Sequence, residues 1–158
     1  MSDSLNKYKL SCALTGHRRI GGGLDVSKLN QTIESVIEQG TVSFYCGMAI
    51  GFDLIAAAAV LECKKKHPKV KLIACIPCPE QDKYYSSSER EKYRNILQQC
   101  DDVIIVNERY FDGCMLVRDR FMVDNCEKII AYFDGRSDGG TAYTVKYAKS
   151  KNREIIIV

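Results

Sequence analysis

The segment Asp134-Gly135-Arg136-Ser137-Asp138-Gly139-Gly140-Thr141 is the stretch of this chain most suited to hold a phosphate. It follows an apolar run, Lys128 to Phe133, whose β-branched and aromatic residues predict a buried strand. It precedes Ala142, Val145 and Ala148, which recur at helical spacing with Lys146 and Lys149 on the other side. A strand therefore feeds a glycine-rich turn that opens a helix. Paired glycines let a ligand approach the backbone, and the first N–H groups of a helix have no partner within it. The helix dipole adds partial positive charge there. A Gly-Gly turn capped by Thr141 is also an ordinary helix start, so this segment alone leaves both readings open.

Two further glycine-bearing turns follow predicted strands. One is Thr15-Gly16-His17-Arg18, and the other runs from Gly47 through Gly51 to Asp53. His17 is the only histidine at a strand end, where it can act as a general acid, bind phosphate or simply cap the turn. A later predicted helix carries Met115, Leu116, Met122, Val123 and Cys126 as its apolar stripe. Asp119 falls inside that stripe and Arg118 at its edge. A carboxylate on the core side is costly unless it is paired or faces a polar cavity, so this helix either buries an ion pair or lines a site.

The elements that must position these residues alternate. Strands are expected over 9–15, 42–46, 70–76, 103–106, 128–133 and 155–158. Helices are expected over 25–39, 54–66, from the possible capping box Ser88-x-x-Glu91 to about 100, from Asp112-Gly113 to about 125, and after Thr141. The first helix carries Leu29, Ile33, Val36 and Ile37 on one stripe, with Asp25 or Ser27 to cap it and Gly40 to end it. Most strands are continuous apolar runs, the pattern of a parallel sheet covered on both faces. The fold class is therefore α/β, a doubly wound, mostly parallel sheet with helices on both faces, in one domain over 1–158. In such sheets ligands bind outside the carboxyl ends of the strands. Three glycine-bearing turns share that edge with arginines beside them, which favours a nucleotide-like ligand. None matches G-x-G-x-x-G, and the P-loop pattern is absent.

Composition narrows the class. The 158 residues are 46% hydrophobic and 27% charged, as in globular proteins, with a net charge of +3. That charge does not repel small anions and argues against nucleic acid as the ligand. Met1-Ser2-Asp3-Ser4 shows no secretory pattern, and the longest apolar run, 54–61, is too short to span a membrane. A cytoplasmic protein with no membrane partner is the expectation, and a homo-oligomer is compatible with it. Eight scattered cysteines sit mostly in apolar runs and read as small buried hydrophobes. Cys75-Ile76-Pro77-Cys78 has redox spacing but closes a strand instead of opening a helix. With His17 and His67 as the only histidines, no zinc set is expected.

Taken in order, Thr15-Gly16-His17-Arg18, Gly47-x-Ala49-x-Gly51-x-Asp53, Ile76-Pro77, Arg118-Asp119-x-x-Met122-Val123-Asp124, Asp134-Gly135 and Gly139-Gly140-Thr141 resemble the SLOG superfamily, with the YpsA-like proteins as the nearest branch. The resemblance covers nearly the whole chain. It implies a Rossmann-like sheet and a site for nucleotides or relatives such as ADP-ribose or NAD. Members of the superfamily are ligand sensors or enzymes that cleave nucleotide N-glycosidic bonds, and DprA carries a related domain. It assigns ligand contacts to Gly16, His17, Arg18, Gly47, Gly51, Asp53, Arg118, Asp119, Asp134, Gly139, Gly140 and Thr141.

Two departures bear on activity. The "Lonely guy" phosphoribohydrolases resemble this chain at Gly-Gly-x-Gly-Thr-x-x-Glu, but here Gly139-Gly140-Thr141 lacks the next glycine and Thr144 stands in place of the glutamate. The YpsA-like pattern has Asn where this chain has Asp119. The leading expectation is a sensor, carrier or sequestering protein for a nucleotide derivative, without a certain cofactor. The second is an N-glycosidase using Asp53, Asp119 or Asp124. The third is single-stranded nucleic acid binding, for which Tyr84, Tyr85, Lys83 and Arg90 offer a weak basic and aromatic surface.

Overall fold

The computed structural model describes residues 10–158. Lys9 of the first expected strand and the segment Met1–Ser4 lie outside them. The six strands are β1 (Ser11–Gly16), β2 (Ser43–Cys46), β3 (Lys71–Ile76), β4 (Asp102–Ile105), β5 (Lys128–Tyr132) and β6 (Glu154–Ile157). The five helices are α1 (Val26–Glu38), α2 (Phe52–Lys64), α3 (Ser87–Gln99), α4 (Cys114–Asp124) and α5 (Gly140–Ser150). Every expected element is present, with ends shifted by a residue or two.

All described pairings are parallel and the sheet order is β4-β3-β2-β1-β5-β6. The chain winds outward from β1 to one edge, then returns to the other side of β1 and winds to the opposite edge. The order reverses between β1 and β5, where Gly16 pairs with Tyr132 at the carboxyl ends. This is the α/β Rossmann-like arrangement, and the crevice belongs at that reversal.

Residues of β1 alternate between two cores. Cys12 and Leu14 pack with Leu29, Ile33 and Val36 of α1, Phe52 and Val60 of α2, and Tyr93 and Ile96 of α3. Ala13 packs on the other face with Met122 and Val123 of α4 and Ala148 of α5. Three helices thus cover one face and two the other. Burial on both faces explains why the central strands read as unbroken apolar runs.

Local capping departs from expectation in two places. Asp25 caps α1 by accepting from Lys28 N–H at 3.0 Å, but the capping box of α3 is Ser86 with Glu89, not Ser88 with Glu91. The serine run Ser86-Ser87-Ser88 offers several registers. The chosen one places Tyr93 and Ile96 on the buried face. Thr141 does not cap α5: Gly139 is the N-cap residue, and no side chain caps that helix.

Candidate functional site

A cleft of about 710 Å³ opens at the carboxyl ends of β1 and β5. Of the residues anticipated from sequence, Gly16, His17, Arg18, Asp53, Arg118 and Asp119 line it. Gly139, Gly140 and Thr141 close it from the start of α5. Gly47, Gly51 and Asp134 do not line it, and neither does Asp124. The Asp124 carboxylate lies exposed at the end of α4 and accepts from the Tyr147 hydroxyl at 2.7 Å.

The glycines divide into two kinds. A Cβ on Gly16 would stand 2.5 Å from the Phe52 ring, and one on Gly47 would stand 2.7 Å from the Arg118 guanidinium. At Gly51, where φ is +82°, it would stand 2.1 Å from the Arg18 carbonyl oxygen. These three are glycine because protein fills the space. At Gly139 and Gly140 a Cβ would meet nothing within 4 Å. The first backbone bond of α5 runs from Tyr143 N–H to Gly139 O at 3.0 Å. The N–H groups of Gly140, Thr141 and Ala142 precede that bond and have no acceptor within the helix.

Arg118 is the buried member of the α4 pair, contrary to its expected place at the stripe's edge. Cys114, Arg118 and Met122 form the inner face of α4, and only 3% of Arg118 is exposed. Its Nη1 donates to the Gly47 carbonyl at 2.5 Å and to the Cys75 carbonyl at 3.3 Å, and its Nε donates to Asp119 Oδ1 at 2.6 Å. The guanidinium thereby joins the ends of β2 and β3 to α4. Asp119 Oδ2 lies 3.1 Å from the Thr144 hydroxyl, so the carboxylate also reaches α5.

Asp53, in the first turn of α2, is 6% exposed and accepts from Ala49 N–H at 3.2 Å. Burial pushes its carboxyl up to about 7, against the opposing pull of Arg118 and with a further push from Asp119. Asp134 behaves oppositely. Hydrogen bonds from the Arg136 side chain and backbone hold its carboxyl far below the usual range. His17 Nε2 accepts from Asp134 N–H at 3.2 Å, and its ring meets Tyr132 edge-on with centroids 5.6 Å apart. The imidazole thus couples the ends of β1 and β5.

Several lining residues gave no periodic signal in sequence. Tyr110 and Phe111, 67% and 45% exposed, come from the loop between β4 and α4, beside Met115 of the expected apolar stripe. Arg19 and Arg136 add cationic side chains. Arg18 Nη2 lies 2.8 Å from the Met115 sulfur. Aromatics in a loop after a strand at the carboxyl edge were the one available clue.

Other expectations resolve away from the cleft. Cys75 and Cys78 are free and buried, and burial pushes the Cys75 thiol up to about 12. Neither is a poised thiolate. Tyr85 does not offer a stacking face, since its hydroxyl donates to the Met48 carbonyl at 3.1 Å and its ring meets Tyr93 edge-on. Among the described residues no helix is long and apolar enough to cross a membrane.

Comparison with known proteins agrees with this architecture. A family model, YpsA, described as the YspA SLOG family, matches residues 26–156. The uncharacterized SPbeta prophage-derived protein YoqJ of Bacillus subtilis (strain 168) is 34% identical over 135 residues, covering 77% of this chain and 78% of that protein. DNA processing protein A from Helicobacter pylori, described by its single-stranded DNA binding mode, superposes with a TM-score of 0.67 at 20% identity, covering 97% of this chain and 66% of that one. DNA processing protein A from Streptococcus pneumoniae gives 0.63 at 19% identity, covering 98% of this chain and 51% of that one. This chain therefore spans about half of the Streptococcus pneumoniae protein. These two likenesses concern the fold.

Proposed function

We propose that the cleft binds a nucleotide-derived anion, from the premise that the chain belongs to the YpsA SLOG family. The observation that carries this reading is the open N-terminus of α5. Gly139 and Gly140 border the cleft with free space where side chains would stand, and three N–H groups precede the first helical bond. Arg18, Arg19 and Arg136 add positive charge along the same cleft. The role that fits is a sensor, carrier or sequestering protein. Calorimetric titration with AMP, ADP, ADP-ribose and NAD tests it, with inorganic phosphate for comparison. Saturable binding that weakens with salt is expected. Absence of heat and of any thermal shift at millimolar ligand contradicts the reading.

Hydrolysis of an N-glycosidic bond is the second reading, favoured by Asp53. A buried carboxyl that titrates near neutrality suits a general acid. Asp119 is the only other candidate carboxylate on the cleft. It occupies the neighbourhood of Thr144, the position at which the resembling phosphoribohydrolases carry glutamate. Release of free base from AMP or NAD, lost in Asp53→Asn, is the expected sign of this activity. Unchanged nucleotide after prolonged incubation rules it out.

Binding of single-stranded nucleic acid is a third reading. The fold likeness to a protein described by its single-stranded DNA binding sits against the expectation that nucleic acid is not the ligand. Tyr110 and Phe111 on the cleft rim offer stacking faces. A mobility shift with an oligothymidine, weakening steeply with salt, would support it.

A further inference from the structure

A second cavity of about 570 Å³ adjoins the first and shares two of its walls, Tyr110 and Met115. The two are also joined through one carbonyl. Arg118 Nη1 from the first cavity and Gln81 Nε2 from the second both donate to Gly47 O, at 2.5 Å and 2.8 Å. The partition is soft, because Met115 has several rotatable bonds and its sulfur is met by the side chain of the exposed Arg18.

The second cavity differs in chemistry from the first. Pro77, Pro79, Tyr84 and Tyr110 give it flat apolar faces. Tyr84 is 89% exposed, and the Lys83 ammonium lies 5.5 Å from the centre of its ring. Gln81 stands in the same wall, 9% exposed, and its Oε1 is the buried side-chain atom that has no hydrogen-bond partner among the described residues. A buried carbonyl oxygen without a donor destabilises the fold, so such an atom in a cavity wall points to a ligand N–H.

We propose that this second cavity takes a heterocyclic base, and that the ligand of the chain is two nucleosides joined through a diphosphate. Its phosphates lie at the start of α5, one nucleoside occupies the first cavity, and the second base stacks on Tyr84 and Tyr110 and donates an N–H to Gln81. This rests on the reading that the first cavity binds a nucleotide. A ligand with one nucleoside fills only the first cavity, which is already of a size that encloses one small molecule.

The test compares NAD, as the two-nucleoside probe, with ADP, on the wild-type chain and on Tyr84→Ala and Gln81→Met, by calorimetry. NAD is expected to bind about tenfold to a hundredfold more tightly than ADP, the range for stacking of one base. Tyr84→Ala is expected to remove most of that advantage and leave ADP unchanged. Gln81→Met, which fills the same space without a carbonyl, is expected to act in the same direction. Tyr84 is exposed, so its truncation keeps the fold even if Gln81→Met does not. Equal affinity for the two probes, or an NAD advantage insensitive to Tyr84→Ala, overturns the inference while leaving the first cavity's role intact. Binding of neither probe overturns both. Tyr84-dependent binding of an oligothymidine with no NAD advantage assigns the cavity to a nucleic acid strand instead.

Discussion

The Thr144 hydroxyl lies 3.1 Å from Asp119 Oδ2 and 2.8 Å from the Gly140 carbonyl, so it links α4 to the first turn of α5. It carries one proton and donates to one of these acceptors at a time. Through Asp119, the same link reaches the buried Arg118 and the ends of β2 and β3. The end of α5 that borders the cleft is thereby fixed to the sheet. Thr144→Val keeps the shape and removes the proton. It is expected to lower stability by about 0.5–1.5 kcal/mol, the net worth of one such bond, and to weaken nucleotide binding severalfold. Urea denaturation and calorimetry on the one variant read both effects.

Arg118→Ala is expected to act chiefly on stability. The guanidinium is buried and bonded to two backbone carbonyls and to Asp119, so truncation removes a donor from each of them and leaves the Asp119 carboxylate without its cation, although Gln81 still donates to Gly47 O. A loss of about 3–5 kcal/mol is expected, the range for breaking a buried ion pair by removing one partner. A urea midpoint within error of wild type would contradict this account of the residue.

Gly51→Ala is expected to be strongly destabilising, because its added carbon falls 2.1 Å from the Arg18 carbonyl at a φ of +82°. Overpacking of this kind costs about 1–3 kcal/mol before backbone strain is added. Gly22→Ala, in open space, serves as the control and is expected to melt near wild type. Equal melting temperatures for the two variants would contradict the packing role of Gly51.

Asp53 gives the fold a pH dependence of known sign. Its folded-state carboxyl is raised to about 7, above the ordinary 3.8, so the native state holds the proton through a window in which the unfolded state releases it. Its stabilising contribution is present at about pH 4 and is lost as pH rises towards 7. Asp53→Asn removes the titration. The variant is therefore expected to gain stability relative to wild type across that window, then to keep a constant difference above it. Parallel pH profiles for the two proteins would show that Asp53 is ionised throughout.

Much of this site was legible in the sequence, for identifiable reasons. The strand–glycine–helix pattern at 128–148 located the start of α5, and the alternation of apolar runs with helical periods gave the doubly wound sheet. What sequence could not supply was what fills the space beside a glycine. Gly47 and Gly51 look like Gly139 and Gly140 in one dimension, yet the first two are pressed against Arg118 and Arg18 and the last two face open space. The exchange of places between Arg118 and Asp119 has a similar origin. Neighbouring residues on a helix point about 100° apart, so Arg118 and Asp119 cannot share its inner face, and on that face the guanidinium meets the carbonyls of Gly47 and Cys75. Tyr110 and Phe111 were missed because loop residues carry no period to read.

The central claim, that a phosphate of the ligand sits on the N-terminal turn of α5, is tested most directly by ADP titration of Gly140→Val beside Gly22→Val. Both positions have open space where the side chain would stand, so both variants are expected to fold with melting temperatures near wild type. The valine at 140 would occupy the volume over the first N–H groups of α5. The account predicts that Gly22→Val binds ADP as the wild type does and that Gly140→Val shows no saturable heat. Undiminished ADP affinity in a folded Gly140→Val protein would contradict it.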